Sequence, residues 1–116
     1  MKSLWARYYE EFNGTEVIET EWGFIAFSYL EFAVFISEIY VVPEMRDGGL
    51  GNRLLEEVTE LGRKAGKASL LSNVRIGTNV SAEAMKAHLA VGFIPISAEP
   101  DKILFRRMIE AAKESE

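Results

Sequence analysis

Pro43-Glu44-Met45-Arg46-Asp47-Gly48-Gly49-Leu50-Gly51-Asn52-Arg53-Leu54-Leu55 is the stretch on which the reading of this chain turns. Before it, Phe32 to Val42 is rich in β-branched and aromatic residues, and Pro43 ends that run by removing a ladder donor. After it, Leu50, Leu54, Val58, Leu61 and Ala65 recur at helical spacing, with Leu55 widening the stripe and Arg53, Glu56, Glu57, Glu60 and Lys64 opposite. A glycine-rich segment between a buried strand and an amphipathic helix leaves backbone N–H groups unpaired at the positive end of the helix, which suits an anion. Gly49 and Gly51 permit close backbone approach, and Arg46 adds a cation for a pyrophosphate. A plain turn at Gly48-Gly49 is the competing reading.

Two other phosphate-binding patterns fail. A P-loop needs Gly-Lys followed by Ser or Thr, whereas Gly51 is followed by Asn52-Arg53. A dinucleotide fingerprint needs a third glycine where this chain has Leu54. It also needs an acid about 20 residues on, where Ser69-Leu70-Leu71 stands.

Outward from the loop, Phe32 to Val42 reads as a central strand apolar on both faces, with Val34, Ile36, Tyr40 and Val42 on one and Phe35, Ile39 and Val41 on the other. Upstream, Glu16–Thr20 and Gly23–Tyr29 form a hairpin. An amphipathic N-terminal helix over residues 3–12, with Leu4, Tyr8, Phe12 and Trp5, Tyr9 at four-residue spacing, stops at Asn13-Gly14. Downstream, Gly66 stops the long helix and a strand covers Ala68–Val74. A second helix then spans Ser81–Val91, with Ser81 as its cap and Met85 and Leu89 on the core side. Strands Phe93–Ser97 and Lys102–Met108 finish the chain before the charged tail from Glu110. The fold class is α/β (α+β), a mixed, mostly antiparallel sheet flanked by helices.

The composition bounds the function. With 116 residues, 48% of them hydrophobic, one domain spanning 1–116 is expected. The 13 basic and 18 acidic residues give a net charge of −5, so neither nucleic acid nor an anionic membrane is an expected partner. Cysteine is absent and His88 is the only histidine, so thiol nucleophiles and Cys- or His-rich metal sites are excluded. The N-terminus lacks the apolar run of a signal peptide, and a cytoplasmic location is the expectation.

Val41 to Leu55 resembles the signature of the GNAT (GCN5-related N-acetyltransferase) family: strand, proline, R/Q-x-x-G-x-G/A, helix, matched at Arg46, Gly49 and Gly51. A second family pattern, N-x-x-A-x-x-x-Y-x-x-x-G-F, is met at Ala84, Gly92 and Phe93, while Ser81 fills the asparagine slot and His88 the tyrosine slot. The resemblance implies acetyl-CoA as acetyl donor and no metal. It places the pyrophosphate on Arg46, Asp47, Gly48, Gly49, Leu50, Gly51 and Asn52, and the pantetheine arm along Tyr40, Val41 and Val42, with Ser81 nearby. It implies transfer to a primary amine, either a small cationic amine or a protein lysine or N-terminus. A non-catalytic CoA-binding or protein-binding module on the same fold is the alternative.

Direct attack by an amine on a thioester needs a base, carbonyl polarisation and a proton for the leaving thiolate. Glu38, the carboxylate inside the long apolar strand, is the candidate base on the expectation that burial raises its pKa; an ion pair with Arg106 or Arg107 is the other reading. His88 is the candidate acid, or else a packed helix residue. The resemblance makes Trp5, Tyr8, Tyr9 and Trp22 candidate walls of an acceptor pocket, with core or dimer packing the other reading, and Glu10, Glu11, Glu16, Glu19 and Glu21 would favour a cationic acceptor or form a solvated face. The last strand, taken as an exposed edge, would serve a homodimer.

Overall fold

The computed structural model describes residues 2–110, so the tail beyond Glu110 lies outside the described residues. Helix α1 (Leu4–Asn13) precedes strands β1 (Glu16–Glu19), β2 (Gly23–Tyr29) and β3 (Ala33–Val41). A single turn of 3₁₀ helix (Pro43–Met45) leads to α2 (Leu50–Lys64), β4 (Ser69–Arg75), α3 (Ser81–Ala90), β5 (Ile94–Ala98) and β6 (Lys102–Met108). The six strands form one sheet in the order β1-β2-β3-β4-β6-β5, antiparallel except for β3 against β4. This places β6 inside the sheet, paired on both sides, and the edges are β1 and β5. The expectation of β6 as an exposed edge is therefore wrong: the β5–β6 hairpin folds back so that its second strand, not its first, meets β4.

One face of the sheet is buried under α2, whose Leu50, Leu54, Leu55 and Val58 pack with Ile25, Phe27, Val34, Ile36, Leu70 and Phe105. Helix α2 ends as a Schellman motif: Lys67 N–H donates to Gly62 O and Gly66 N–H to Arg63 O, with Gly66 at φ 76°. Gly62 sits in a crowded contact, since a Cβ there would lie 2.9 Å from Ile109 Cδ1 and 3.0 Å from Val34 Cγ2 and would make those side chains shift.

Helix α1 covers the opposite face through Ala6, which packs with Val17 and Ala26. Ser3 caps it by accepting from Ala6 N–H, and Ser3 N–H and Oγ both donate to the Glu19 carboxylate. Glu10 accepts from Val17 N–H and pairs with Lys2. Two of the five acids considered as attractors for a cationic acceptor thus anchor α1 to β1. Of the two rows of large residues on α1, Tyr9 of the second packs against this cluster, whereas Leu4, Tyr8 and Phe12 are 81%, 62% and 68% exposed, because the small Ala6 is what lets the helix sit close to the sheet. In α3, Leu89 is likewise exposed, and Ala84 and Met85, with Val91 just past the helix end, make the core contact.

The feature that shapes the site is in β3. Ala26 faces Glu38 and Phe27 faces Ile36, so Ser37 is an extra residue on β3, a bulge whose Oγ donates to Ala26 O across 3.1 Å. The bulge reverses the alternation of the strand. Val34 and Ile36 face α2, and beyond Ser37 it is Ile39 and Val41 that face α2, while Glu38 and Tyr40 turn to the face of Ala26 and Phe24. The two-face assignment made from strict alternation, with Tyr40 grouped with Ile36, fails for this reason. The parallel ladder between β3 and β4 runs only from Ala33↔Ser69 to Ile36↔Ser72. Past that rung β3 leaves β4, whose Asn73, Val74 and Arg75 pair only with β6.

Candidate active site

The gap between the diverging strands opens to both faces of the sheet. On the α2 side it is a cleft of about 230 Å³ walled by Ile36, Ile39, Leu55, Val91 and Phe93, with Gly51 and Asn52 of the first turn of α2 at its rim. On the other side a more polar cleft of about 610 Å³ is lined by Phe24, Glu38, Tyr40 and Asn73. Ile36, Ile39, Ser72 and His88 line both, so the two clefts meet at the apex where the ladder ends.

The loop that begins α2 leaves a run of backbone donors unpaired. Arg46 is extended, Asp47 takes a left-handed conformation at φ 68°, and Gly49, the residue before the helix, takes φ 86°. Few non-glycine residues adopt the conformation of Asp47. Among the described residues, the backbone N–H groups of Asp47 through Asn52 make no hydrogen bond; the first amide of this region with a backbone acceptor is Arg53, to Gly49 O at 3.0 Å. These donors sit at the positive end of a 15-residue helix. Leu50 is different in kind: its side chain is buried and anchors the loop to the core. A Cβ on Gly51 would meet only Val41 Cγ2, at 3.8 Å, so no protein contact requires glycine there, and its bareness leaves space in the cleft.

The main chain of β3 offers a second set of partners. Val42 N–H donates to Trp22 O at 2.8 Å. By the alternation of an antiparallel ladder, the polar groups of Tyr40 and Glu38 then also turn to β2, and those of Ile39 and Val41 face the gap. Arg46 Nε donates to Val41 O at 2.9 Å and its guanidinium lies 5.6 Å from the centre of the Tyr40 ring. Of the three residues expected to offer main-chain groups to a pantetheine arm, Val41 is turned to the gap. Ile39 was overlooked because the bulge that turns it there has no signature in the sequence.

Glu38 lies on the rim of the polar cleft, exposed to solvent. The burial expected of it is absent, because the bulge turns it out of the core and onto the open face. Arg107 pairs with Glu56 instead, at 2.8 Å. His88 reaches the apex from α3. Its Nδ1 lies 2.7 Å from Ala84 O and its Nε2 2.8 Å from Ser72 Oγ, with Phe93 and Phe105 against the ring at 5.3 and 5.0 Å. Burial pushes its pKa below the ordinary histidine value, and the hydrogen bond to Ala84 offsets this only in part. Ser72 was not foreseen, since a serine within a strand carries no pattern.

Ser81 is the first residue of α3 and not its cap; the capping position is Val80, without a side-chain bond. Its buried Oγ donates to Arg75 O at 2.7 Å and accepts from Thr78 N–H at 3.0 Å, tying the β4–α3 loop. It lines neither cleft. Of the expected acceptor-side aromatics, Trp5 packs on Phe24 at 4.6 Å and on Tyr9 at 5.3 Å, and Phe24 continues to Tyr40 at 6.0 Å. Tyr8 pairs instead with Phe12, at 4.8 Å. Among the described residues no cluster of three His, Cys, Asp or Glu side chains is placed to hold a metal ion, and no helix is long and apolar enough to cross a membrane.

A mixed sheet split between a parallel pair of strands, with a bare helix N-terminus beside the split, is the architecture of the GNAT class. The model of the Acetyltransferase (GNAT) family matches residues 5–93, and the chain belongs to that family. Among solved structures it is similar to nourseothricin acetyltransferase, at 25% identity and a TM-score of 0.70 over 76% of this chain and 58% of that one. The PaiA N-acetyltransferase of Thermoplasma acidophilum, solved in complex with coenzyme A, shares the fold at 17% identity and a TM-score of 0.68, over 75% of this chain and 53% of that one. The anti-CRISPR protein AcrVA5 shares it at 20% identity and a TM-score of 0.67, over 79% of this chain and 96% of that one. The chain thus spans little more than half the length of the first two. No curated protein matches the sequence.

Proposed function

We propose that this chain is an N-acetyltransferase that moves an acetyl group from acetyl-CoA to a primary amine by direct attack. The observation that carries this reading is the pairing of two features at one place: the unbonded amides of residues 47–52, and the strand gap that opens past Ile36 and Ser72. The amides and Arg46 would hold the pyrophosphate. The main-chain groups of Ile39 and the N–H of Val41, whose carbonyl already accepts from Arg46, would pair with the amide groups of the pantetheine arm, as an added strand does. The thioester would then lie at the apex, and the amine would enter from the cleft of Phe24, Glu38, Tyr40 and Asn73.

Acetyl-CoA supplies the activated acyl group, and no enzyme nucleophile is needed. Glu38, wet and at the mouth, holds the incoming ammonium and takes its first proton, which exchanges with solvent. A carboxylate beside aromatic faces favours a cationic acceptor, either a small amine or a protein amine. Holding both reactants in one cleft supplies much of the rate.

Calorimetric titration with acetyl-CoA tests this reading on the wild-type chain and on Gly51→Glu. Gly51 is a better position for the carboxylate than Gly49, where φ 86° would strain any side chain. Saturable binding by the wild type that is lost in a folded Gly51→Glu variant is expected. A folded wild type that does not bind ends the proposal.

A further inference from the structure

His88 fills the place of a proton donor, yet its hydrogen bonds leave it without a proton to give. Ala84 O, 2.7 Å away, can only accept, so Nδ1 carries the ring proton. In the neutral ring Nε2 is then a bare lone pair, and the hydrogen bond of 2.8 Å to Ser72 must be donated by the serine. The only mobile proton that this pair presents to the clefts is the hydroxyl proton of Ser72. Ser72 is the last residue of β4 paired to β3, opposite Ile36, and it lines both clefts beside His88. Its Oγ has no other hydrogen-bond partner among the described residues.

Resting on the acetyltransferase reading above, we propose that Ser72 and His88 form one proton carrier, which takes the second proton of the attacking nitrogen and returns a proton to the departing sulfur. The neutral amine forms its C–N bond to the thioester carbon, and the carbonyl π pair moves to oxygen. The nitrogen, now cationic, gives a proton to Ser72 Oγ as the Ser72 proton passes to His88 Nε2. The oxygen pair re-forms C=O, the C–S bond breaks with its pair on sulfur, and the sulfur takes a proton from Ser72 as His88 returns one to it. Amine and thioester become amide and thiol, and the pair is restored. The apolar packing by Phe93 and Phe105 keeps the imidazolium short-lived, so the proton is handed on and not retained. The backbone carbonyl of Ala84 holds the tautomer, as a carboxylate does elsewhere.

Because His88 is the only histidine in the chain, ¹⁵N-histidine labelling gives one imidazole whose two nitrogens report the pair directly. The chain is titrated with CoA and, separately, with desulfo-CoA, which keeps every group but the thiol. The expected result is an Nδ1–H tautomer in the free protein and an Nε2 resonance that shifts with CoA and not with desulfo-CoA. In Ser72→Ala the distinction between the two ligands is lost while both still bind; in Ser72→Thr, which keeps the hydroxyl, it returns. Identical Nε2 responses to both bound ligands in the wild type would overturn the carrier and leave the acetyltransferase reading standing. A CoA-specific shift that survives in Ser72→Ala would overturn the part given to Ser72. Binding of neither ligand would remove the acetyltransferase reading, and the carrier with it.

Discussion

Arg46 Nε donates to Val41 O across 2.9 Å, so the first residue of the glycine-rich loop is tied to the last residue of β3. The tie makes the guanidinium part of the wall between loop and strand, with Tyr40 beneath it. The guanidinium keeps further N–H donors for a phosphate. Arg46→Ala removes the cation and frees the carbonyl, and acetyl-CoA affinity is expected to fall about tenfold, near 1.4 kcal/mol, just under the range of about 1.5–3 kcal/mol for hydrogen bonds to charged groups. Arg46→Lys keeps the charge but not the fork, and should fall between the two. Calorimetry on the three proteins checks the order; equal affinities would reduce Arg46 to a structural tie.

Gly51 separates stability from binding. It occupies a helical position in the first turn of α2, and nothing in the protein forbids a Cβ there. Gly51→Ala should therefore stabilise the fold by about 0.5–1 kcal/mol, read as a rise in Tm, while the added methyl intrudes on the cleft and weakens acetyl-CoA binding. A rise in both stability and affinity would mean that the cleft beside Gly51 is not where the ligand lies.

Glu38 is exposed on the rim of the polar cleft, so the part proposed for it is tested by isosteric loss of charge. Glu38→Gln should leave acetyl-CoA affinity unchanged and lower turnover with a primary amine by about 10²-fold, the lower end for a positioned base. Rates at saturating acetyl-CoA decide it, and an unaltered rate retires Glu38 as the base.

Much of this architecture was legible in the residues. Pro43, Arg46 and the glycines at 49 and 51 mark a strand–loop–helix junction by local chemistry alone, and the period of α2 is set by Leu50, Leu54 and Val58. What stayed hidden was non-local. The bulge at Ser37 exists because β2 and β3 meet in a particular register, and no residue in Phe32 to Val42 announces it. That single insertion moved Glu38 from an expected buried position to the rim and exchanged Tyr40 with Ile39. Ser72 was invisible for the same reason: its meaning comes from where the parallel ladder stops and from a histidine 16 residues away. Which of the two large-residue rows of α1 turns inward was not legible, because size and spacing cannot tell which side of a short helix has the room to approach a sheet.

His88 also gives the fold a pH dependence whose sign follows from its surroundings. Burial against Phe93 and Phe105 disfavours the imidazolium, and the bond to Ala84 O opposes that only partly, so the folded-state pKa lies below the unfolded value of about 6.5. The other groups at the ring are the neutral Ser72 and, across the cleft, the exposed Glu38. Over the interval between the two pKa values the unfolded chain binds more protons than the folded one, so lowering the pH favours unfolding. The contribution of His88 is fully present above about pH 6.5 and is lost as the pH falls through the folded pKa. His88→Phe removes this term, and denaturant midpoints measured from neutral to mildly acidic pH should fall less steeply in the variant than in the wild type. Carboxylates such as Glu10, held below its usual range by the Lys2 ammonium with help from Val17 N–H, act at lower pH in both proteins and cancel from the comparison. Parallel curves would mean that His88 titrates alike in the folded and unfolded chains, and that the ring is more open to water than its packing shows.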